Sequence, residues 1–140
     1  MRIIFSRLLW EDIRRHSAEG YPEEICGILI GEERGAERRV SRLVRAGNRM
    51  EENRRRRYLI EPLELARVER DADARGETLL GFYHSHPDHP PRPSETDLAW
   101  AWPFYSYVIQ SVVKGEPKEG RCWRLREDGK GFREEEIVVE

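Results

Sequence analysis

At 140 residues the chain has the size of one domain with a real hydrophobic core. A net charge of -2 argues against general affinity for nucleic acid, no apolar run approaches a bilayer span, and Glu11 and Asp12 arrive too early for a secretory signal, so the reading is a cytoplasmic protein with no membrane association. Two cysteines, Cys26 and Cys122, exclude a disulfide framework and a cysteine-rich zinc finger, and read as buried, reduced thiols.

RIIF (2–5) reads as a short strand. Ser6 can then cap a helix over 7–19, with Leu8, Leu9 and Ile13 on one face and Gly20 as its stop; His16, which follows basic residues, reads as surface. Tyr21-Pro22 turns the chain into ICGILIG (25–31), a short apolar run between acidic residues that suits a buried strand. ERRVSRLVRA (37–46) alternates as a strand with one wet face, Val40 pointing inward and Leu43 and Val44 following after a slip in register. NRMEENRRRR (48–57) is an exposed loop and YLI (58–60) a short strand. Pro62 opens a helix whose residues 63–76 carry apolar side chains at helical spacing up to Gly76.

TLLGFYHSH (78–86) reads as a central strand, SETDLAWAW (94–102) as the start of a further helix closed near Pro103, and YSYVIQSVV (105–113) as another strand. The tail gives two strands across a turn near Asp128-Gly129. The order is mixed α/β with about six strands and three helices. No repeat or linker interrupts it, so residues 1–140 are expected to form one domain.

Residues 81–102, GFYHSHPDHPPRPSETDLAWAW, hold three of the four histidines. Residues two apart on a strand project to the same side, so His84 and His86 leave the end of 78–86 together, where the proline run stops the ladder. Two such imidazoles suit one zinc, at distances of roughly 2.0–2.1 Å. A hydrolytic zinc needs a third protein ligand and an open position for water. Asp97, in the first turn of the next helix, is the best candidate. Pro87, Pro90, Pro91 and Pro93 stiffen the connection. An H-x-H alone is a weak signal. Ser94-x-x-Asp97 also reads as a capping-box variant, which is compatible with ligation through a carboxylate oxygen. His89 reads as a solvated loop residue.

Hydrolysis also needs a base for the attacking water. Glu23 and Glu24 both stand just ahead of the 25–31 strand, where a solvated turn would explain them equally well. Sequence logic does not choose between them.

Taken together, Glu24-Ile25-Cys26-Gly27, His84-Ser85-His86-Pro87 and Ser94-Glu95-Thr96-Asp97 resemble the pattern of the JAMM (MPN-plus) metalloprotease family. YLIEP (58–62) resembles the segment these domains carry between the motif halves. The resemblance spans essentially the whole chain. It implies an α/β fold, a mixed β-sheet with flanking helices in a cytidine-deaminase-like architecture. It implies Zn2+ held by His84, His86 and Asp97, Glu24 as general base and later acid, and Ser94 as a hydrogen-bond donor to the forming oxyanion. It implies cleavage of an amide or isopeptide bond after the C-terminal Gly-Gly of a ubiquitin-like protein, with the bacterial branch pointing to a ubiquitin-like sulfur carrier as partner. Cys26 is read as strand packing.

The alternative is a non-catalytic MPN-type interaction scaffold, a kind of relative that lacks one or more ligand residues. Ten arginines between 34 and 57 (34, 38, 39, 42, 45, 49, 54, 55, 56 and 57) face three acids (37, 51 and 52). Without interleaved aromatics they read as a solvated face, or as a docking patch for an acidic carrier protein, rather than as a nucleic-acid site.

Overall fold

Alternation with a period of two decides how the strands bury themselves. The computed structural model describes residues 1–55 and 57–140. Its elements run β1 (Arg2–Phe5), α1 (Arg7–Gly20), β2 (Cys26–Arg34), β3 (Glu37–Ala46), α2 (Pro62–Ala74), β4 (Thr78–Pro87), α3 (Glu95–Trp100), β5 (Ser106–Val113), β6 (Glu116–Leu125) and β7 (Phe132–Val139). On β2, Leu29 faces a core shared with Ile13 of α1, while Ile28 and Ile30 face a second core against Ala72 of α2. ICGILIG reads as a continuous apolar run because helices cover both of its faces.

The sheet is mixed, with strand order β1-β3-β2-β4-β5-β6-β7. β4 and β5 are parallel, and β1 lies parallel to both β3 and β7, so this four-residue strand closes the sheet into a barrel. The expected slip in β3 is a bulge: Ile30 pairs with Arg42 but Gly31 with Val40, leaving Ser41 as the extra residue. β6 begins at Glu116, ahead of the tail expected from sequence, because Lys114 and Gly115 both take positive φ and turn β5 directly into β6. No helix among the described residues is long and apolar enough to cross a membrane.

Several local expectations hold and others fail for physical reasons. Ser6 caps α1, its Oγ accepting from the Leu9 N–H at 3.2 Å. The buried stripe of α1 is Leu9, Ile13 and Ser17, spaced four apart, whereas Leu8 is 84% exposed. Gly20 does not end the helix by turning left-handed. It is the last helical residue, and a Cβ there would stand 2.0 Å from Ile25 Cγ2. YLI forms no strand. Residues 57–59 are instead clasped by Asn48, whose Nδ2 donates to Arg57 O and whose Oδ1 accepts from Leu59 N–H. Both cysteines are buried and free; burial pushes the Cys26 thiol up to about 12, with Glu64 and Glu24 adding to it.

The arginine-rich segment is not uniformly solvated. Arg38 is 2% exposed, and its guanidinium donates to Glu33 at 2.6 Å, to Leu80 O at 3.1 Å, to Ser106 Oγ at 2.9 Å and to Phe104 O. The Ser106 hydroxyl in turn donates to buried Glu135, which Arg124 holds with two further bonds. Arg45 ties β3 to α1 through Asp12 and Glu19.

His16 is half-buried rather than on the surface. Its Nδ1 lies 2.9 Å from the Tyr83 hydroxyl and its ring meets Tyr83 edge-on at 5.7 Å. Burial, then the charge of Arg45, lowers its pKa to about 4 against the opposing pull of Glu19 and Asp12. The unfolded chain accepts this proton near pH 6.5, and the folded chain refuses it until about pH 4. The stability from neutral His16 is therefore complete above about pH 6.5 and is lost as the pH falls through that window. Denaturant titrations at pH 7 and pH 4.5 should show the wild type losing more stability than His16→Gln over the interval. Parallel losses in the two proteins would contradict this.

Candidate metal centre

β4 carries the centre. Cys26 pairs with His84 across the antiparallel β2–β4 ladder, and β5 runs parallel on the other side, so both histidines end a strand fixed on two edges. His84 is 1% and His86 7% exposed. Beyond Pro87 the loop is held through its polar atoms. Asp88 accepts from the Tyr21 hydroxyl and the Lys114 N–H, the Ser111 hydroxyl donates to His89 O, and Trp123 Nε1–H donates to Pro91 O. His89 itself is exposed, as expected.

Asp97 is brought in by a capping box. Ser94 Oγ accepts from the Asp97 N–H at 3.0 Å, and Asp97 Oδ2 accepts from the Ser94 N–H at 2.8 Å. This is the variant expected from S-x-x-D, and it leaves the carboxylate free to face the imidazoles. His84 Nε2 stands 3.2 Å from His86 Nε2 and 3.3 Å from Asp97 Oδ1, and His86 Nε2 stands 3.1 Å from Asp97 Oδ2. Three donor atoms thus converge on one point. His86 Nδ1 is 2.9 Å from Pro90 O. A carbonyl only accepts, so the proton sits on Nδ1 and Nε2 keeps its lone pair for the centre.

Burial and the members of the cluster themselves set its electrostatics. Burial lowers the His84 pKa, with Asp97 opposing. Desolvation alone would raise Asp97, but His84, His86 and the Ser94 N–H outweigh it and hold the carboxyl below its usual range. Two imidazoles and a carboxylate that stays ionised are a borderline donor set for a divalent metal, with three protein ligands and room for a fourth.

Glu24 and Glu23 part company here. Glu23 is exposed; Glu24 is 5% exposed and lines a cleft of about 320 Å³ with His86, Arg92 and Ser94. Burial, then the charge of Asp97, pushes its carboxyl up to about 9. Its backbone is pinned by Asn48 Nδ2, which donates to Glu24 O, and by Arg54 O, which accepts from the Glu24 N–H. The middle residue of H-x-H also contributes: Ser85 Oγ accepts from Ile25 N–H and Ser85 N–H donates to Ile25 O, locking Glu24's neighbour to the histidine strand. Sequence reasoning passed over Ser85, Asn48 and Tyr58. Tyr58 stacks on His84 with ring centroids 4.5 Å apart. On the His84 side lie a cavity of about 20 Å³ and an aromatic groove of about 520 Å³ lined by Tyr58, Phe82, Trp100, Trp102 and Tyr107, the two sharing Tyr58, Trp100 and Tyr107 as walls.

Residues 6–126 match the family model of prokaryotic homologs of the JAB domain. The chain belongs to this JAB-domain family. It is a JAMM-type hydrolase by that membership. A desampylase of Haloferax volcanii is 32% identical over 135 residues, covering 93% of this chain and 91% of that protein. A probable TtuB-protein conjugate cleaving protease of Thermus thermophilus is 33% identical over 103 residues, covering 74% of this chain and 66% of that protein. A solution structure from Desulfitobacterium hafniense superposes with a TM-score of 0.85 at 30% identity, covering 99% of this chain and 92% of that one. The mixed sheet with flanking helices is the JAB/MPN fold.

The convergence of three donors sets a stoichiometry. Protein loaded with a divalent metal and desalted should retain about one equivalent per chain by elemental analysis, and Asp97→Ala should retain far less. Full retention by that variant would remove Asp97 from the centre.

Proposed function

We propose that the chain is a zinc-dependent metallo(iso)peptidase that hydrolyses the amide bond following the C-terminal Gly-Gly of a ubiquitin-like protein. The observation that carries this reading is the meeting of His84 Nε2, His86 Nε2 and Asp97 within 3.1–3.3 Å of one another beside buried Glu24. A tetrahedral zinc with bonds of roughly 2.0–2.1 Å spaces its ligands roughly 3.3 Å apart, and the donor set fits it. Bound there, zinc supplies Lewis acidity that brings the pKa of water toward about 7.

The residues of the chain do the rest. The charge of a bound zinc would draw the raised Glu24 carboxyl back down. Ionised, and facing the same cleft as His86, Glu24 takes a proton from the attacking water and delivers it to the leaving nitrogen. The C–O bond forms first, with charge gathering on the carbonyl oxygen; the C–N bond then breaks, and the proton Glu24 took from water leaves on the amine, so the proton count balances. Such a base contributes roughly 10²–10⁴ in rate. Ser94 Oγ already accepts from Asp97 N–H, so its own O–H is free to donate to the carbonyl oxygen as charge gathers there.

Two features support the substrate class. The relatives named desampylase and TtuB-protein conjugate cleaving protease act on conjugates by name, and a sulfur-carrier relative of ubiquitin is the partner we infer for this chain. The cavity walled by His84, Pro93 and Trp100 is only about 20 Å³, too small for a side chain, which favours glycine.

The arginine loop supports an acidic partner. Arg42 and Arg45 are paired with carboxylates, whereas Arg49, Arg54, Arg55 and Arg57 are exposed and form no ion pair among the described residues. Arg56, part of the same expected patch, lies outside the described residues.

Glu24→Gln tests the reading: cleavage of a ubiquitin-like protein extended beyond Gly-Gly should fall by about 10²-fold or more while zinc content is unchanged. Activity lost instead with Glu23→Gln would assign the base to the wrong acid. Replacing Arg54, Arg55 and Arg57 with serine should raise KM several-fold at low salt, leave kcat alone and flatten the salt dependence. A KM that stays equally salt-sensitive would rule out the docking role.

A further inference from the structure

The two imidazoles of the centre are held in different ways. His86 has the usual brace of a metal-binding histidine, its Nδ1–H donating to the Pro90 carbonyl. His84 has none: its Nδ1 is buried and has no hydrogen-bond partner among the described residues. A ring free to rotate about its χ2 would not keep Nε2 aimed at a metal, so something else must fix its plane.

We infer that the Tyr58 ring is that brace, a positioning residue that sets the plane of His84 by stacking. This rests on the reading of His84 as a metal ligand. The two rings are stacked, with centroids 4.5 Å apart and planes 25° from parallel. Tyr58 is held on both sides although it belongs to no strand. Asn48 Nδ2 donates to Arg57 O at 2.9 Å, Asn48 Oδ1 accepts from Leu59 N–H at 3.1 Å, and Leu59 O accepts from Arg49 N–H at 2.8 Å. The same Asn48 Nδ2 reaches Glu24 O at 3.1 Å. One side chain therefore sets the Tyr58 ring against the metal site and fixes the backbone of Glu24. Tyr58 and Ile60 point inward, to His84 and the α2 core, while Leu59 is 43% exposed; the alternation is that of a strand, but Asn48 takes the backbone groups that a ladder would use.

The role is in the ring and not the hydroxyl, which separates it from a catalytic part for Tyr58. Zinc affinity is measured by competition with a chromophoric chelator on the purified full chain, with the thermal midpoint of the metal-free protein recorded alongside. Tyr58→Phe keeps the stack and should bind zinc within about threefold of wild type. Tyr58→Leu fills the space without an aromatic face and should bind about tenfold more weakly, with an unchanged metal-free midpoint. Cobalt in place of zinc should show an altered visible spectrum in Tyr58→Leu and not in Tyr58→Phe. Wild-type affinity in Tyr58→Leu would overturn the brace, as would an equal loss in both variants, which would assign the effect to the hydroxyl. Failure of the wild type itself to bind zinc would sink the proposed function and this inference with it, whereas the Leu-to-wild-type ratio tests the brace alone.

Discussion

Gly27 stands across the ladder from Tyr83, and the tyrosine ring occupies the space a side chain on residue 27 would need. A Cβ at Gly27 would lie 2.1 Å from Tyr83 Cε1. This close approach fixes β2 against β4 at the register that sets Cys26 opposite His84. A slip of one residue would send every side chain of β4 to the wrong face. Glu24, two residues ahead of Cys26, would then no longer share a cleft with His86. The Tyr83 hydroxyl, having crossed over Gly27, meets His16 and so ties α1 to the strand that carries the histidines. The Cys-Gly pair in the motif is thus a packing device, a small buried thiol followed by an empty position.

The other end of the barrel is held by charge. Arg38, Ser106, Glu135 and Arg124 form one chain of hydrogen bonds across β3, β5, β7 and β6. Burying a guanidinium and a carboxylate is expensive unless every donor and acceptor is met, and removing one partner would leave the other charge stranded. Here the guanidinium also reaches two backbone carbonyls, those of Leu80 and Phe104. Its interactions are directional where an apolar core would be permissive, so they specify which strands meet around the barrel as well as stabilising it. The contrast with the exposed Arg49, Arg54, Arg55 and Arg57 lies in partners, not residue type.

Most of the architecture was legible because it depends on short-range rules. Serine caps, the proline at the start of α2 and the continuous apolar run of β2 each report local physics, and all appear where the sequence puts them. The pairing of His84 with His86 followed from strand periodicity, and the capping box of Ser94 and Asp97 from their spacing. What escaped is long-range. Nothing near Arg38 in sequence announces Glu135 or Ser106, and nothing near His16 announces Tyr83. Nor did YLI give any sign that Asn48, ten residues upstream of Tyr58, would satisfy its neighbours' backbone in place of a ladder. The choice between Glu23 and Glu24 was also beyond local rules, because burial of one depends on where β4 and the 48–57 loop arrive.

The two sides of the centre differ in a way that bears on how a chain could cross it. On the His86 side the cleft holds Glu24, Ser94 and Arg92, groups that move protons or meet negative charge. On the His84 side the walls are Tyr58, Trp100 and Tyr107, which offer surface but little hydrogen bonding. An asymmetry of this kind gives the two sides different affinities, because apolar groups gain most by lying against the tryptophans and polar groups gain most near Glu24. It also sets the local dielectric: the aromatic wall strengthens each charge it faces, Asp97 above all. The stack of Tyr58 on His84 belongs to the aromatic side, so a single ring both covers the face of a buried imidazole and forms part of the wall of the dry half of the site.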